Sequence, residues 1–269
     1  MIPIGDSPRT HTTAWVNYLL LAANVAVFLY MLTLSTALPA TRALEVDQFL
    51  QQRNSVCAGL AASPTELDRF FCEWGLQPRE FLNAFDSAAD IGGQSALAVM
   101  LTLVTSVFLH AGWLHILGNM LFLWVFGDNI EDRLGHVAYL LFYLVGGSVA
   151  SLAQVAIDPD SLIPIVGASG AVAAVLGAYF IWYPGATVNV IIPFFVLIFI
   201  PLPVPAVLMI GLWFLQNLVA GYASLGTAAG PEGGVAFFAH IGGFIYGMLL
   251  AILLFNAGRR RKRSRSYQS

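Results

Sequence analysis

The sequence predicts an all-α membrane protein, a bundle of six transmembrane helices with one large external loop. Residues of the apolar set make up 58% of the 269-residue chain and charged residues only 10%, whereas a soluble domain has about 25% charged residues. The mean hydropathy is +0.76. Apolar stretches separated by polar segments recur often enough for about six spans of ~20 residues. The charges are confined largely to one long loop and to the C-terminal tail.

The N-terminal part predicts a short cytoplasmic segment at residues 1–13 and a first span at residues 14–34. This apolar run exceeds the ~7–15 residues of a signal peptide, so we expect it to be retained, with cleavage as the alternative. Residues 35–113 form the long external loop. Apolar residues alternate with charges over residues 64–83, which favours short amphipathic helices on the membrane surface. Residues 96–110 are apolar and lead into the second span.

Residues 114–257 predict the compact core of the bundle. Its spans are predicted at residues 114–126, 137–157, 166–183, 203–222 and 235–257, with a polar turn at residues 127–135. The apolar segment 188–200 is short for a helical span, so we expect it at the interface or against the bundle.

The basic tail at residues 258–269 indicates the orientation. Six of the twelve Lys and Arg residues lie in the last eleven positions, and such clusters hold a flanking helix end in the cytoplasm. A disordered solvated end is the plain alternative, and nucleic-acid binding is a weaker one that we do not predict. With six spans the N-terminus is also cytoplasmic. The acidic loop with Cys57 and Cys72 is then external, where a disulfide and two free thiols are both open.

Four polar side chains are predicted to converge in the outer leaflet. His115 and Asn119 are four residues apart on one helix face near the outer end of the second span. Ser169 lies about one turn into the fourth span, and His240 lies roughly 8 Å into the sixth. A seventh span at residues 188–200 would place Ser169 and His240 in opposite leaflets.

These residue types fit acyl transfer. A serine hydroxyl needs a base to accept its proton, and His240 is the candidate base for Ser169. The Ser169 N–H at a helix start, the Asn119 amide and the His115 ring are candidate donors for an oxyanion. The candidate is a dyad, because the second, fourth and sixth predicted spans contain no Asp or Glu that could orient the histidine. The alternative for each group is a hydrogen bond between helices.

Three further polar residues carry weaker expectations. His110 is predicted to be structural or interfacial, on a different face from His115. Gln216 and Asn217 of the fifth span are predicted to serve packing or gating.

Four motifs resemble the rhomboid family of intramembrane serine proteases. The segment from His110 to Asn119 resembles the family's His-x-x-x-Asn segment, with His115 and Asn119 as oxyanion donors. Gly127-x-x-x-Glu-x-Arg-x-Gly135 resembles the following turn, and Gly167-Ala-Ser169-Gly170 resembles the nucleophile site. Ala239-His240-x-x-Gly243-x-x-x-Gly247 resembles the last span, where His240 is the base. Gly243 and Gly247, like Gly167 and Gly170, are expected to allow close helix packing.

The resemblance implies an intramembrane serine endopeptidase with six helices and a water-accessible site. It implies neither a metal nor a cofactor, and it implies single-span membrane proteins as substrates. Two positions differ from common members: Leu101 and Thr102 replace a Trp-Arg pair, and Ala173 replaces a tyrosine that stacks on the base. We expect the fifth span and residues 224–234 to form the gate, and a bacterial plasma membrane as the location. The alternatives are a catalytically silent relative that binds client membrane proteins, and a transporter or channel.

Overall fold

The computed structural model describes residues 1–34, 65–85, 95–191, 201–225 and 235–266, and it is mostly helical. The helices are α1 (Trp15–Thr33), α2 (Glu66–Trp74), α3 (Pro78–Asn83), α4 (Ala96–Thr105), α5 (Trp113–Leu134), α6 (His136–Ile157), α7 (Ser169–Trp182), α8 (Ala206–Ser224) and α9 (Phe237–Ser266). A 3-10 turn at Ser106–Phe108 follows α4, and the strands are β1 (Ile2–Asp6), β2 (Thr187–Ile191) and β3 (Leu202–Pro205).

A helix coincides with each of the six predicted spans. Four are individually long and apolar enough to cross a membrane within the described part of the chain: α1, α6, α8 and Phe237–Leu254 of α9. The segments Ala96–Phe108 and Trp113–Leu134 meet at an 81° bend and pass the same test together. Helix α7 has 14 residues and is therefore about 21 Å long, short of a ~30 Å hydrocarbon core. The count of six spans stays a prediction.

The predicted polar turn at residues 127–135 is wrong. Helix α5 continues through these residues to Leu134, and the chain reverses at Gly135 alone. Gly135 has a φ of +81°, a conformation that glycine adopts without steric cost. Four charged residues therefore lie inside the last two turns of α5. The polarity of this segment by itself predicts a loop, which is why the prediction was wrong.

A three-stranded sheet makes the strict all-α expectation wrong. Strand β2 lies in the centre and pairs antiparallel with β1 on one side and with β3 on the other. Pro203 and Pro205 lie in β3, an edge strand, where a missing N–H is tolerated. They precede α8, which begins at Ala206 rather than at the predicted residue 203. We call the end of the bundle that carries this sheet the sheet end, and the opposite end the site end.

Of the segment at 188–200, Val188 to Ile191 lie in β2. Residues 192–200 lie outside the described residues. The segment does not begin as a helical span.

Buried polar groups fasten α1 to the rest of the bundle. The fully buried Glu131 carboxylate accepts hydrogen bonds from Val16 N–H and Asn17 N–H, which are unpaired donors in the first turn of α1. The Asn17 side chain donates to the Leu123 carbonyl and accepts from the Tyr139 hydroxyl. A side chain at position 127 would overlap Asn17, so Gly127 permits this contact.

Helices α7 and α9 pack at backbone contact. A Cβ at Gly247 would overlap the Ala174 carbonyl, and one at Gly243 would overlap the Gly170 carbonyl. On the other side, a Cβ at Gly177 would overlap the Phe244 carbonyl. The Trp182 indole N–H donates to the Ala251 carbonyl at 3.0 Å and closes the far end of the interface.

The described part of the long loop between α1 and α4, residues 65–85, packs over the site end. Thr65 caps α2 by a reciprocal capping box with Asp68. Leu76 exchanges two backbone hydrogen bonds with Ile165, at 3.2 and 2.8 Å. Cys72 is buried and disulfide-bonded, so its thiol is not free. Cys57 lies outside the described residues.

We expect Gly247→Ala to destabilise the protein by about 1–3 kcal/mol, because the new methyl group would push α9 off the Ala174 carbonyl. Thermal unfolding in detergent micelles measures this change. Gly211→Ala on α8 is the matched control, since its Cβ would meet only Phe180 Cε2 at 3.8 Å. Equal midpoints for the two variants would contradict the close α7–α9 contact.

A second prediction concerns Asp6 at the sheet end. Its carboxylate accepts from the Tyr179 hydroxyl at 2.6 Å and from Asn129 Nδ2 at 2.8 Å. Burial, with the nearby Asp128 charge adding to it, raises the pKa of Asp6 from 3.8 to about 6. Between about pH 4 and pH 6 the folded protein therefore holds a proton on Asp6 that the unfolded chain has lost. The stability that this proton contributes falls as the pH rises through this range.

Asp6→Asn stays neutral, so its melting temperature relative to wild type should increase between pH 4 and pH 7. Melting curves at the two pH values measure the difference. An unchanged difference would show that Asp6 ionises in the folded protein as it does in the unfolded chain.

Candidate active site

Ser169 is the first residue of α7 rather than one turn inside it. The preceding Gly167 has a φ of +123°, which L side chains rarely adopt, and its N–H donates to the Ser106 carbonyl at 2.9 Å. The backbone bridge between Leu76 and Ile165 fixes the chain two residues earlier. The serine is therefore held at the start of a helix, where backbone N–H groups are unpaired.

His240 lies in the first turn of α9, and the structure brings it onto Ser169. The distance between His240 Nε2 and Ser169 Oγ is 2.8 Å, within hydrogen-bonding range. The predicted common depth of these two residues thus corresponds to direct contact. Gly170, predicted to pack helices, follows the serine, and a Cβ there would meet Ala150 of α6 at 2.5 Å.

His115 of α5 lies against residues 165–168, which precede Ser169 and which we call the serine loop. A Cβ at Gly167 would come within 2.5 Å of His115 Nε2, so the glycine leaves space for the ring. His115 Nδ1 accepts a long hydrogen bond of 3.4 Å from Ala111 N–H. An accepting Nδ1 puts the ring proton on Nε2, the nitrogen that faces the loop before Ser169.

Asn119 lies one turn further along α5 and is 7% exposed. Its amide nitrogen is buried and has no hydrogen-bond partner among the described residues. Asn119 lines the same cavity as Ser169 and His240. The amide nitrogen can donate to an acceptor that enters the cavity.

Asn217 was predicted to serve packing or gating, and the structure places it on the imidazole instead. Asn217 Oδ1 lies 2.6 Å from His240 Nδ1. Trp213, one turn earlier on α8, lies with its ring 5.7 Å from the His240 ring at 35°. The signal in the sequence was the position of Asn217 along its helix. It lies seven residues before Ser224, the last residue of α8, and therefore about 10 Å from the end of that helix at the site end.

His110 is closer to the site than predicted. It is 1% exposed, and its ring packs edge-on against His115 with 5.0 Å between centroids. Neither of its ring nitrogens has a hydrogen-bond partner among the described residues.

A cavity of about 990 Å³ lies over these groups at the site end. His115 and Asn119 line it from α5, Ser169 from α7, Trp213 from α8 and His240 from α9. Within the described ranges no three His, Cys, Asp or Glu side chains are grouped to hold a metal ion. Residues 226–234 of the predicted gate lie outside the described residues.

Comparison with known proteins places these residues in a domain of one family. A family model described as a Rhomboid domain matches residues 98–257, more than half of the chain. Rhomboid-related protein 2 of Mus musculus is 34% identical over 158 residues, 57% of this chain and 47% of that protein. Rhomboid protein 1, mitochondrial, of Saccharomyces cerevisiae is 30% identical over 169 residues, 61% of this chain and 45% of that protein.

A bacterial relative matches over a shorter stretch. Rhomboid protease GluP of Bacillus subtilis is 40% identical over 76 residues, 28% of this chain and 14% of that protein. The chain thus spans about half or less of the length of these relatives. The match to the Rhomboid domain covers all four sequence motifs and every residue that meets at Ser169, and the chain belongs to the rhomboid family.

Proposed function

We propose that the protein is an intramembrane serine endopeptidase that uses Ser169 as nucleophile and His240 as general base. One observation carries the proposal: the 2.8 Å distance between Ser169 Oγ and His240 Nε2. A serine hydroxyl in an apolar helix ordinarily bonds to its own backbone, as Ser148 does with the Leu144 carbonyl at 3.0 Å. A hydroxyl paired instead with an imidazole is poised to lose its proton.

In this mechanism His240 Nε2 accepts the Ser169 proton while Oγ attacks the carbonyl carbon of the scissile peptide bond. The C–N bond then breaks, and the imidazolium returns the proton to the leaving amine. The substrate's N-terminal part remains as an ester on Ser169. Water hydrolyses this ester by the same steps, with His240 again as base, and free serine is restored.

The negative charge of the tetrahedral intermediate requires donors placed in advance. The unpaired Asn119 amide, the Ser169 N–H at the start of α7 and the His115 ring are the three groups that we propose for this role. Asn119 is the best supported of the three, since its amide lines the cavity and its nitrogen bonds to no other described residue.

We propose single-span membrane proteins as substrates, entering the cavity between α5 and α8. A helical peptide bond is shielded, so substrates should carry helix-weakening Gly, Ala or Pro residues near the cut. Helix α8 borders the cavity through Trp213 and is only partly buried in the bundle, which supports its proposed role in the gate.

We propose that the sheet end faces the cytoplasm, with both termini there. The basic residues after Phe255 supply the orientation signal. The site end and the long loop then face outward. Location in a bacterial plasma membrane stays a prediction from the sequence.

The test is labelling of the membrane-embedded protein by a fluorophosphonate, together with cleavage of a single-span reporter. Wild-type protein should be labelled and should cleave. Ser169→Ala and His240→Ala should each reduce both signals to background, because the first removes the attacking oxygen and the second its base.

Ser148→Ala is the matched control, since it removes a hydroxyl from a neighbouring helix, and it should behave as wild type. Folded wild-type protein that neither labels nor cleaves would overturn the proposal and favour a catalytically silent client-binding protein.

Asn119→Ala should lower kcat by about 10²–10³-fold, the usual cost of one oxyanion donor. The Michaelis constant should change little, because the donor acts on charge that forms only after binding. Steady-state kinetics on the same reporter give both values. A rise in the Michaelis constant with unchanged kcat would assign Asn119 to substrate binding instead.

A further inference from the structure

The face of His240 that points away from Ser169 meets an amide. His240 Nδ1 lies 2.6 Å from Asn217 Oδ1, and Asn217 is buried at 6% exposure. The two residues lie on different helices, α9 and α8. His240 therefore bridges Ser169 of α7 and Asn217 of α8.

The orientation of the Asn217 amide is fixed by its own backbone. Its Nδ2 donates to the Trp213 carbonyl at 2.8 Å, one turn earlier on α8. This bond uses the nitrogen end of the amide and leaves Oδ1 facing the imidazole. A carbonyl oxygen only accepts hydrogen bonds, so the opposing His240 Nδ1 must carry the ring proton.

That tautomer is the one a general base needs. With the proton on Nδ1, Nε2 has a free lone pair, and it is this nitrogen that lies 2.8 Å from Ser169 Oγ. The opposite tautomer would present an N–H to the serine and could not accept its proton. The Trp213 ring beside the imidazole restricts its rotation further.

We propose that Asn217 is a positioning residue for catalysis, which holds His240 in its base tautomer and aims Nε2 at Ser169. The inference rests on the proposed peptidase function and extends it, because the unit becomes Ser169, His240 and Asn217 rather than a dyad. Helix α8 both borders the cavity and carries the orienting amide. The base is therefore complete only while α8 is docked on α9.

The first test compares two substitutions of Asn217 of similar size. Asn217→Leu removes the acceptor and should lower kcat by about 10–100-fold, a part of the 10²–10⁴-fold that general base catalysis supplies. The Michaelis constant should stay within about twofold. Asn217→Asp keeps an oxygen opposite Nδ1 and should recover at least half of the lost activity on a logarithmic scale.

Asn24→Leu is the matched control. Asn24 is also a buried asparagine of an apolar helix, and its Nδ2 donates to the Leu20 carbonyl one turn earlier at 2.7 Å. It lies on α1 and is expected to leave kcat unchanged. Equal kcat values for Asn217→Leu and wild type would overturn the inference, as would equal losses in the Leu and Asp variants.

A second readout does not depend on cleavage. Nitrogen-15 NMR of histidine-labelled protein in bilayers distinguishes the two neutral tautomers, and His240→Ala assigns the signal among the five histidines. Wild type should show the proton on Nδ1, and Asn217→Leu should show a mixture. A wild-type signal with the proton on Nε2 would refute the role of Asn217. Failure of wild type to cleave any reporter would overturn the peptidase proposal separately.

Discussion

The backbone contact between α7 and α9 is the constraint on which the site depends. Ser169 and His240 are separated by 71 positions along the chain, and each lies in the first turn of its helix. Their side chains are short, so they meet only where the two helix axes come close together. The absence of side chains at Gly243, Gly247 and Gly177 permits this approach. Without a hydrophobic driving force between helices in lipid, such close packing is what holds them together.

The other elements of the site are held to unequal degrees. Backbone hydrogen bonds fix the serine loop at two points, from Gly167 to the Ser106 carbonyl and between Ile165 and Leu76. At the sheet end, α1 is fastened by Glu131 and α7 by the Tyr179–Asp6 hydrogen bond. Helix α8 is joined to the sheet through β3, which immediately precedes it. The first turns of α8 are therefore anchored at the sheet end. The half of α8 nearer the site end, which carries Asn217, depends on contact with α9. The proposed nucleophile and oxyanion donors thus lie on the firmly held helices, and the amide proposed to orient His240 lies on the helix that borders the cavity.

Much of the bundle follows from the sequence, because long apolar segments follow strong rules for helix length and position. The helix positions, and the prediction that Ser169 and His240 lie at the same depth, come from counting residues along apolar segments. Other features depend on long-range contacts that no local pattern shows. Strand β1 pairs with residues near 190, so residues 1–13 read alone appeared only as a polar end. The charges after Gly127 resembled a turn, yet Glu131 is buried because it caps α1. Asn217 had no partner until α8 was laid against α9.

Helices α7 and α9 bring the Ser169 hydroxyl and the His240 imidazole into contact. The most direct measurement is an experimental structure of the protein in a lipid bilayer or lipidic mesophase, resolved well enough to place the Ser169 and His240 side chains. We expect a separation between Ser169 Oγ and His240 Nε2 of less than about 3.2 Å. A separation well beyond about 4 Å in the resting protein, with α7 and α9 parted, would contradict it.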